Sequence, residues 1–264
     1  MYGFEYQRPT SRADAVAAAG EDTRYLAGGQ SLVQAMRLRL ASSTRLVDLG
    51  AVEELRAIRA DERGVTIGAM ARHAEVARSA DVQRVLPALA ELAGQIGDPM
   101  VRNMGTIGGS VANADSAACY PSAVLALDAT IHTDRRDIGA EQFFLGLFET
   151  ALEPGELITS ISFPAVRTAA YVKFKQPASR FALIGVFVAR TASGVRVAVT
   201  GAKSAVFRAT PIEQALAQSF TPEAARAVRM PADDINGDLH GSAEYRAALI
   251  SVIAARAVEA ALAR

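Results

Sequence analysis

The 264-residue chain has a single cysteine, Cys119, and that scarcity closes off several functions at once. One thiol forms no internal disulfide, and this chain's own thiolates cannot ligate an iron–sulfur cluster. Neither charge is in excess: Lys plus Arg number 28, and so do Asp plus Glu. Binding to a phosphate backbone leans on a basic excess or stripe, which makes nucleic acid a poor partner. No apolar run reaches the length that spans a bilayer. The opening MYGFEYQRPT lacks a charged start followed by an apolar stretch, so no secretory signal is visible there. The expectation is a cytoplasmic protein. Histidine is also scarce: His73, His132 and His240 stand apart, with no HExxH and no carboxylate at ligand spacing. They read as structural or surface residues.

What is present is a large apolar fraction, half of all residues, enough for a sizeable core in two domains. The N-terminal third alternates strand and helix. Phe4 and Tyr6 start a strand, SRADAVAAAG makes a helix that Ser11 can cap, and TRYLAG is a strand. SLVQAMRLRL follows as a helix with Leu32, Met36 and Leu40 on one face, and RLVDLG as a third strand. Crossovers of this kind make the strands parallel. GVTIGAM is a further strand, helices run through ARHAEVARSADVQRVLPALAELAGQIG, and a strand ends near Pro164. Beyond this the character changes. AYVKFKQ, FALIGVFVAR and GVRVAVTGAK read as an antiparallel three-stranded sheet, the last two strands joined by the TASG hairpin. Val195, Val197 and Val199 point one way, and Arg196, Ala198 and Thr200 the other. Helices follow from Pro211, the longest from Ser242 to the end with Leu249, Ile253, Ala257 and Ala260 in one stripe. The fold class is α+β, with domains at 1–166 (lobes of about 1–52 and 53–166) and 167–264.

Two segments carry chemistry. LAGGQSLVQAM sets Ala27, Gly28, Gly29, Gln30 and Ser31 between a strand and a helix. Paired glycines let backbone approach a ligand without Cβ clashes, and successive N–H groups form an anion-binding nest. Ser31 is placed either to cap the helix or to meet a phosphate. RNMGTIGGSVANADSAACYPSAVLALDA repeats the arrangement with Thr106, Gly108, Gly109 and Ser110. Two facing glycine loops would hold the two halves of a pyrophosphate. Taken singly, each pair also suits an ordinary turn, and neither matches G-x-G-x-x-G or a P-loop.

AGGQSL, RNMGTIGGSVANAD, LALDA, FFLGLFETALEPGELITSI and FKQ, in this order, resemble the FAD-binding medium subunits of the carbon monoxide dehydrogenase and xanthine dehydrogenase family. The likeness covers essentially the whole chain. It implies a two-lobed FAD-binding domain and a small C-terminal domain. It also implies that Ala27 through Leu32 and Thr106, Ile107, Gly108, Gly109 and Ser110 hold the FAD pyrophosphate. By the same resemblance Ile96 lines the cofactor site, Asn113 and Asp115 reach FAD hydroxyls or phosphate, and Ile158 and Lys175 sit by the flavin ring. One position departs: the family usually reads ADPAAD where this chain reads ADSAAC. Cys119 replaces a carboxylate that accepts hydrogen bonds from FAD, and a thiol is a weak acceptor.

The resemblance further implies partners, a small [2Fe–2S] subunit and a large molybdenum-cofactor subunit, assembled as a dimer of heterotrimers. Electrons would pass through FAD to an external acceptor, with no catalytic or metal-ligating side chain on this chain. A stand-alone flavin oxidoreductase and a scaffold subunit without FAD are the rival readings. DDINGD at Asp233 to Asp238 lacks the spacing of a calcium loop and reads as a polar loop. Arg135 and Arg136, between Asp134 and Asp137, read as a solvated turn.

Overall fold

The computed structural model describes residues 1–264. Its first lobe is β1 (Glu5–Gln7), α1 (Arg12–Ala17), β2 (Thr23–Leu26), α2 (Leu32–Arg37) and β3 (Arg45–Asp48). The three strands are parallel, in the order β1-β3-β2. Ser11 caps α1, its side chain accepting from the Asp14 amide. α2 stops earlier than its pattern suggests: Leu38 closes it and Arg39 adopts φ 61°. Met36 is therefore buried while Leu40, beyond the helix, is left exposed. Ser31 makes no cap hydrogen bond, so of its two sequence roles the capping one is not used.

The second lobe contains β4 (Ile58–Ala60), β5 (Gly64–Gly68), α3 (His73–Arg78), α4 (Ala80–Val85), α5 (Pro87–Gly94) and α6 (Pro99–Met104). It continues with α7 (Ile107–Asn113), α8 (Tyr120–Ala126), β6 (Thr130–Thr133), β7 (Asp137–Gly139) and α9 (Ala140–Phe143). A small hairpin, β8 (Phe144–Gly146) and β9 (Glu149–Thr150), precedes β10 (Ile158–Pro164). The strands form one antiparallel sheet in the order β4-β5-β10-β6-β7. Arg135 and Arg136 lie exposed in the bend between β6 and β7, as expected of a solvated turn, and their ion pairs tie it down. Arg136 grips Glu156 through two bonds of 3.0 Å, and Arg135 reaches Glu153 at 3.0 Å. The Arg136 bonds, with help from the Glu153 amide and Thr133, hold the Glu156 carboxyl down at about 2.

The C-terminal part is β11 (Ala169–Lys175), β12 (Ala182–Thr191), β13 (Gly194–Thr200), β14 (Phe207–Arg208), α10 (Thr210–Gln218), α11 (Pro222–Ala227) and α12 (Ala243–Leu262). The antiparallel sheet has the three expected strands in order, with the two-residue β14 added at its edge. Alternation sends its two faces to two different cores. Val197, Val199, Ile184 and Val186 join Ile250, Ala254, Ala257 and Val258 of α12 in one cluster. Tyr171, Phe187, Ala189 and Ala198 instead join a cluster of 36 buried residues whose other members come mostly from the second lobe. Burying a side chain such as Phe187 contributes roughly 2–3 kcal/mol, so both faces of the sheet are anchored. α12 is buried more widely than one stripe, leaving Leu249 and Ala260 only half-buried at its margin.

Candidate functional site

The two glycine segments meet, but they contribute differently. The first is an open turn between β2 and α2. Gly29 has φ 69°, and the amides of Gly28, Gly29, Gln30, Ser31 and Leu32 donate to no group of the chain. Such a run of unengaged N–H groups is an anion-binding nest. The second segment is not a loop. Gly108 and Gly109 lie in the first turn of α7, whose cap is Thr106, with Thr106 Oγ1 accepting from the Gly109 amide at 3.1 Å. The amides of Ile107, Gly108 and Ser110 are also engaged, with Ala71, Ala69 and Thr106 carbonyls. The expectation of a second open nest is corrected accordingly.

These glycines matter because of what lies against them. A Cβ on Gly28 would stand 2.1 Å from the Met104 carbonyl oxygen, and one on Gly108 would stand 2.5 Å from the Ala69 Cβ. A Cβ on Gly109 would come within 3.4 Å of the Ala27 Cβ. Backbone-to-backbone contact at Gly28 therefore seats the first turn on the α6–α7 junction. Beside that contact is a cavity of about 300 Å³ lined by Ala27, Gly28, Gly29 and Thr106, with Arg8, Arg56 and Arg72 on its wall. Asp48 also lines it and pairs with Arg8 at 3.5 Å, so free amides and three guanidinium groups against one carboxylate leave a positive balance that fits a diphosphate. The arginines belong to no motif and were not legible as site residues. A larger concavity, about 470 Å³, lies on the outer side of the five-stranded sheet around Arg59, Arg63 and Ser162 and includes neither glycine segment.

The remaining residues singled out in the sequence fall in several places. Asn113 ends α7, and Ala114 follows with φ 47°. The Asp115 carboxylate accepts from the Ala117 amide at 2.9 Å. The next carbonyl, Ser116, accepts from the Gly201 amide at 2.7 Å. Arg246 of α12 donates to the Gly201 carbonyl at 2.6 Å, so the C-terminal part holds this segment in place. Cys119 is buried at the start of α8, where Lys173 Nζ lies 3.3 Å from its sulfur. Ile96 is half-buried against the large core, and Ile158 is buried within it. Lys175 is exposed at the end of β11.

Two histidines have structural surroundings. His73 is buried under the α6–α7 junction, its amide donating to the Gly105 carbonyl at 3.0 Å. Burial, and secondarily Arg102, push its imidazole down to about 4 from 6.5. A histidine held neutral this way stabilises the fold fully above pH 6.5 and loses that contribution as pH falls toward 4. The loss is about 3 kcal/mol. In His73→Gln the fall of the thermal midpoint between pH 6.5 and 4 is expected to flatten. An unchanged slope would assign the acid sensitivity elsewhere. His132 lies 2.6 Å from Asp137 and 2.7 Å from Ser162, whose hydroxyl is 2.8 Å from Thr66. The order matches a hydrolase triad. However, the Asp137 side chain is 66 % exposed, and Ser162 lies mid-strand between two ladders, which supply no free amide for an oxyanion. The row is a cross-strand staple.

Residues 2–166 match the family model described as the FAD binding domain in molybdopterin dehydrogenase. The chain belongs to this family. It is an FAD-binding medium subunit of the molybdenum hydroxylase class, and thus an oxidoreductase flavoprotein subunit. It is 37 % identical to the carbon monoxide dehydrogenase medium chain of Hydrogenophaga pseudoflava, over 99 % of this chain and 98 % of that one. It is 35 % identical to the nicotine 6-hydroxylase medium subunit of Paenarthrobacter nicotinovorans, over 99 % and 98 %. Among solved structures, carbon monoxide dehydrogenase from Hydrogenophaga pseudoflava superposes with a TM-score of 0.89 at 36 % identity, covering 99 % and 98 % of the two chains. Quinoline 2-oxidoreductase from Pseudomonas putida 86 gives 0.89 at 26 %, with the same coverage. No helix is long and apolar enough to cross a membrane.

Proposed function

We propose that this chain relays electrons through FAD, receiving them from a small [2Fe–2S] subunit and passing them to an external acceptor. A large molybdenum subunit would oxidise the organic substrate, and two such heterotrimers would pair. The observation that carries the site assignment is the row of unengaged amides from Gly28 to Leu32, seated by backbone contact on Met104 and Gly105, just ahead of the Thr106–Ser110 turn. FAD supplies the redox chemistry when bound, and this chain supplies its seat and its electrostatic surroundings. The nest and Arg8, Arg56 and Arg72 would neutralise the diphosphate. Thr106 keeps the α7 turn in register beside it. Asp115 and Ser116, tied down by the Ala117 and Gly201 amides, present the following segment. Ile96, Asn113, Ile158 and Lys175 are the remaining proposed cofactor contacts.

Gly109→Val tests the seat. Its added methyl groups would meet Thr106 Oγ1 and Ala27, already 2.9 Å and 3.4 Å from a Cβ. The purified variant is expected to lose its flavin while keeping its far-UV circular dichroism. Full flavin content in Gly109→Val would sink the assignment. The unmodified chain, purified alone, is expected to show flavin bands, no iron–sulfur absorption and no substrate turnover. Turnover by the single chain would instead favour a self-contained oxidoreductase.

A further inference from the structure

The cross-strand row of His132, Ser162 and Thr66 ends at a cavity that FAD binding does not use. Ser162, Thr66 and Thr130 all line the concavity of about 470 Å³ on the outer side of the five-stranded sheet. Four charged residues share that lining: Arg59, Arg63, Asp61 and Asp128. Their formal charges cancel, but the two signs are not equally free. Asp61 Oδ1 already accepts the Arg63 and Gly64 amides at 2.8 Å and 3.1 Å, and Asp128 pairs with Arg196 at 3.3 Å. The guanidinium groups of Arg59 and Arg63 make no ion pair or hydrogen bond with the chain, and both residues are exposed. Two uncommitted guanidinium groups beside two committed carboxylates favour an oxyanion.

The hydroxyl row beneath them can reverse. Asp137 accepts from His132 Nδ1 at 2.6 Å, so a neutral imidazole has no proton on Nε2. Nε2 then accepts the Ser162 proton at 2.7 Å, and Ser162 accepts the Thr66 proton at 2.8 Å. Both hydroxyl protons run along the row, away from the cavity. When the imidazole takes a second proton, Nε2 donates to Ser162 instead, and a hydroxyl proton of Ser162 or Thr66 becomes available to a group in the cavity. β10 sets only Ser160 and Ser162 beside the imidazole, and β7 sets the Asp137 carboxylate there. Arg59, Arg63, Asp61 and Asp128 are the charges on the cavity side.

We infer that this concavity is a second anion site, separate from the diphosphate seat, which takes a phosphate-class oxyanion on Arg59, Arg63 and the reversed row, together with a proton on His132. It stands whether or not the glycine seat holds FAD. A cavity of this size suits a small phosphorylated molecule better than phosphate alone, and the mostly polar lining suits a polar body. By linkage the oxyanion and the proton each favour the binding of the other, so affinity rises as pH falls.

Sulfate is the probe, because its charge is constant over the range in which an imidazole takes its proton, about pH 8 to about pH 5. Calorimetric titration of the full chain, saturated with FAD to fill the glycine seat, is expected to show saturable sulfate uptake. That uptake should strengthen by about fivefold or more across the range. Arg59→Gln with Arg63→Gln, both at exposed positions, is expected to weaken it by about tenfold or more. His132→Gln keeps both arginines and is expected to leave the affinity flat with pH. A chain that takes no FAD would leave the glycine seat open as a separate sulfate step, and the step lost in the double variant still identifies this site. Absent uptake, or uptake unchanged in the double variant, would overturn the proposal. A pH response that survives in His132→Gln would overturn it too, because the arginines would then be acting without the row.

Discussion

Gly28→Ala is expected to release the flavin and to lower the unfolding midpoint of the apo-protein. The new methyl would stand 2.1 Å from the Met104 carbonyl oxygen and 2.7 Å from the Gly105 Cα. These are backbone atoms, so no side chain can rotate away. Either the β2–α2 turn lifts or the α6–α7 junction moves. Overpacking of this kind costs about 1–3 kcal/mol, and the displacement also separates the free amides of Gly28 to Leu32 from the α7 turn. Flavin content after gel filtration, and urea unfolding of the apo-protein, measure the two effects separately. A variant that keeps its flavin and its midpoint would show that the two segments need not touch.

The second large effect is expected at Arg196. Its guanidinium is buried between the C-terminal sheet and the second lobe. There it donates to the Leu125 carbonyl at 3.2 Å and 2.9 Å and to Glu141 at 2.6 Å. Arg208 shares the same Glu141 oxygen at 2.9 Å and grips Glu213 at 2.7 Å, so one network staples the two parts together. Arg196→Ala removes three bonds and leaves the buried Leu125 carbonyl with only the long 3.4 Å bond from the Asp128 amide. The expected loss is about 3 kcal/mol, read from the urea midpoint. A loss below about 0.5 kcal/mol, the level of an ordinary surface change, would show that the apolar contacts alone hold the junction.

Much of this was legible in the sequence for identifiable reasons. The alternating first lobe, the TASG hairpin and the Ser242-capped helix follow from period, turn chemistry and capping, all of them local. What failed was governed by contacts distant in sequence. Gly108 and Gly109 look like a helix-breaking pair, yet Thr106 caps them and buried Ile107 and Val111 hold α7 against the lobe, so packing overrides propensity. Leu40 completes a helical stripe on paper, but the chain turns at Arg39. Arg8, Arg56 and Arg72 line one cavity although they lie in separate segments of the chain, which no local pattern reveals. Lys173 and Lys175 share one strand phase, so alternation from Ala169 and Tyr171 points both inward; the register shift after Phe174 leaves Lys175 exposed while Lys173 is buried.

The large core has a consequence for how such a gene can be rearranged. Tyr171, Phe187, Ala189, Ala198 and Val206 belong to the same 36-residue cluster as the helices and sheet of the second lobe. A fusion that carried only the first 166 codons into another reading frame would leave that apolar face bare, and would also strip the Gly201 amide from Ser116. Cofactor seat and C-terminal sheet are bound to one another as cargo: recombination can move them together, but a cut between them yields a fragment that sticks to itself before it can hold a flavin.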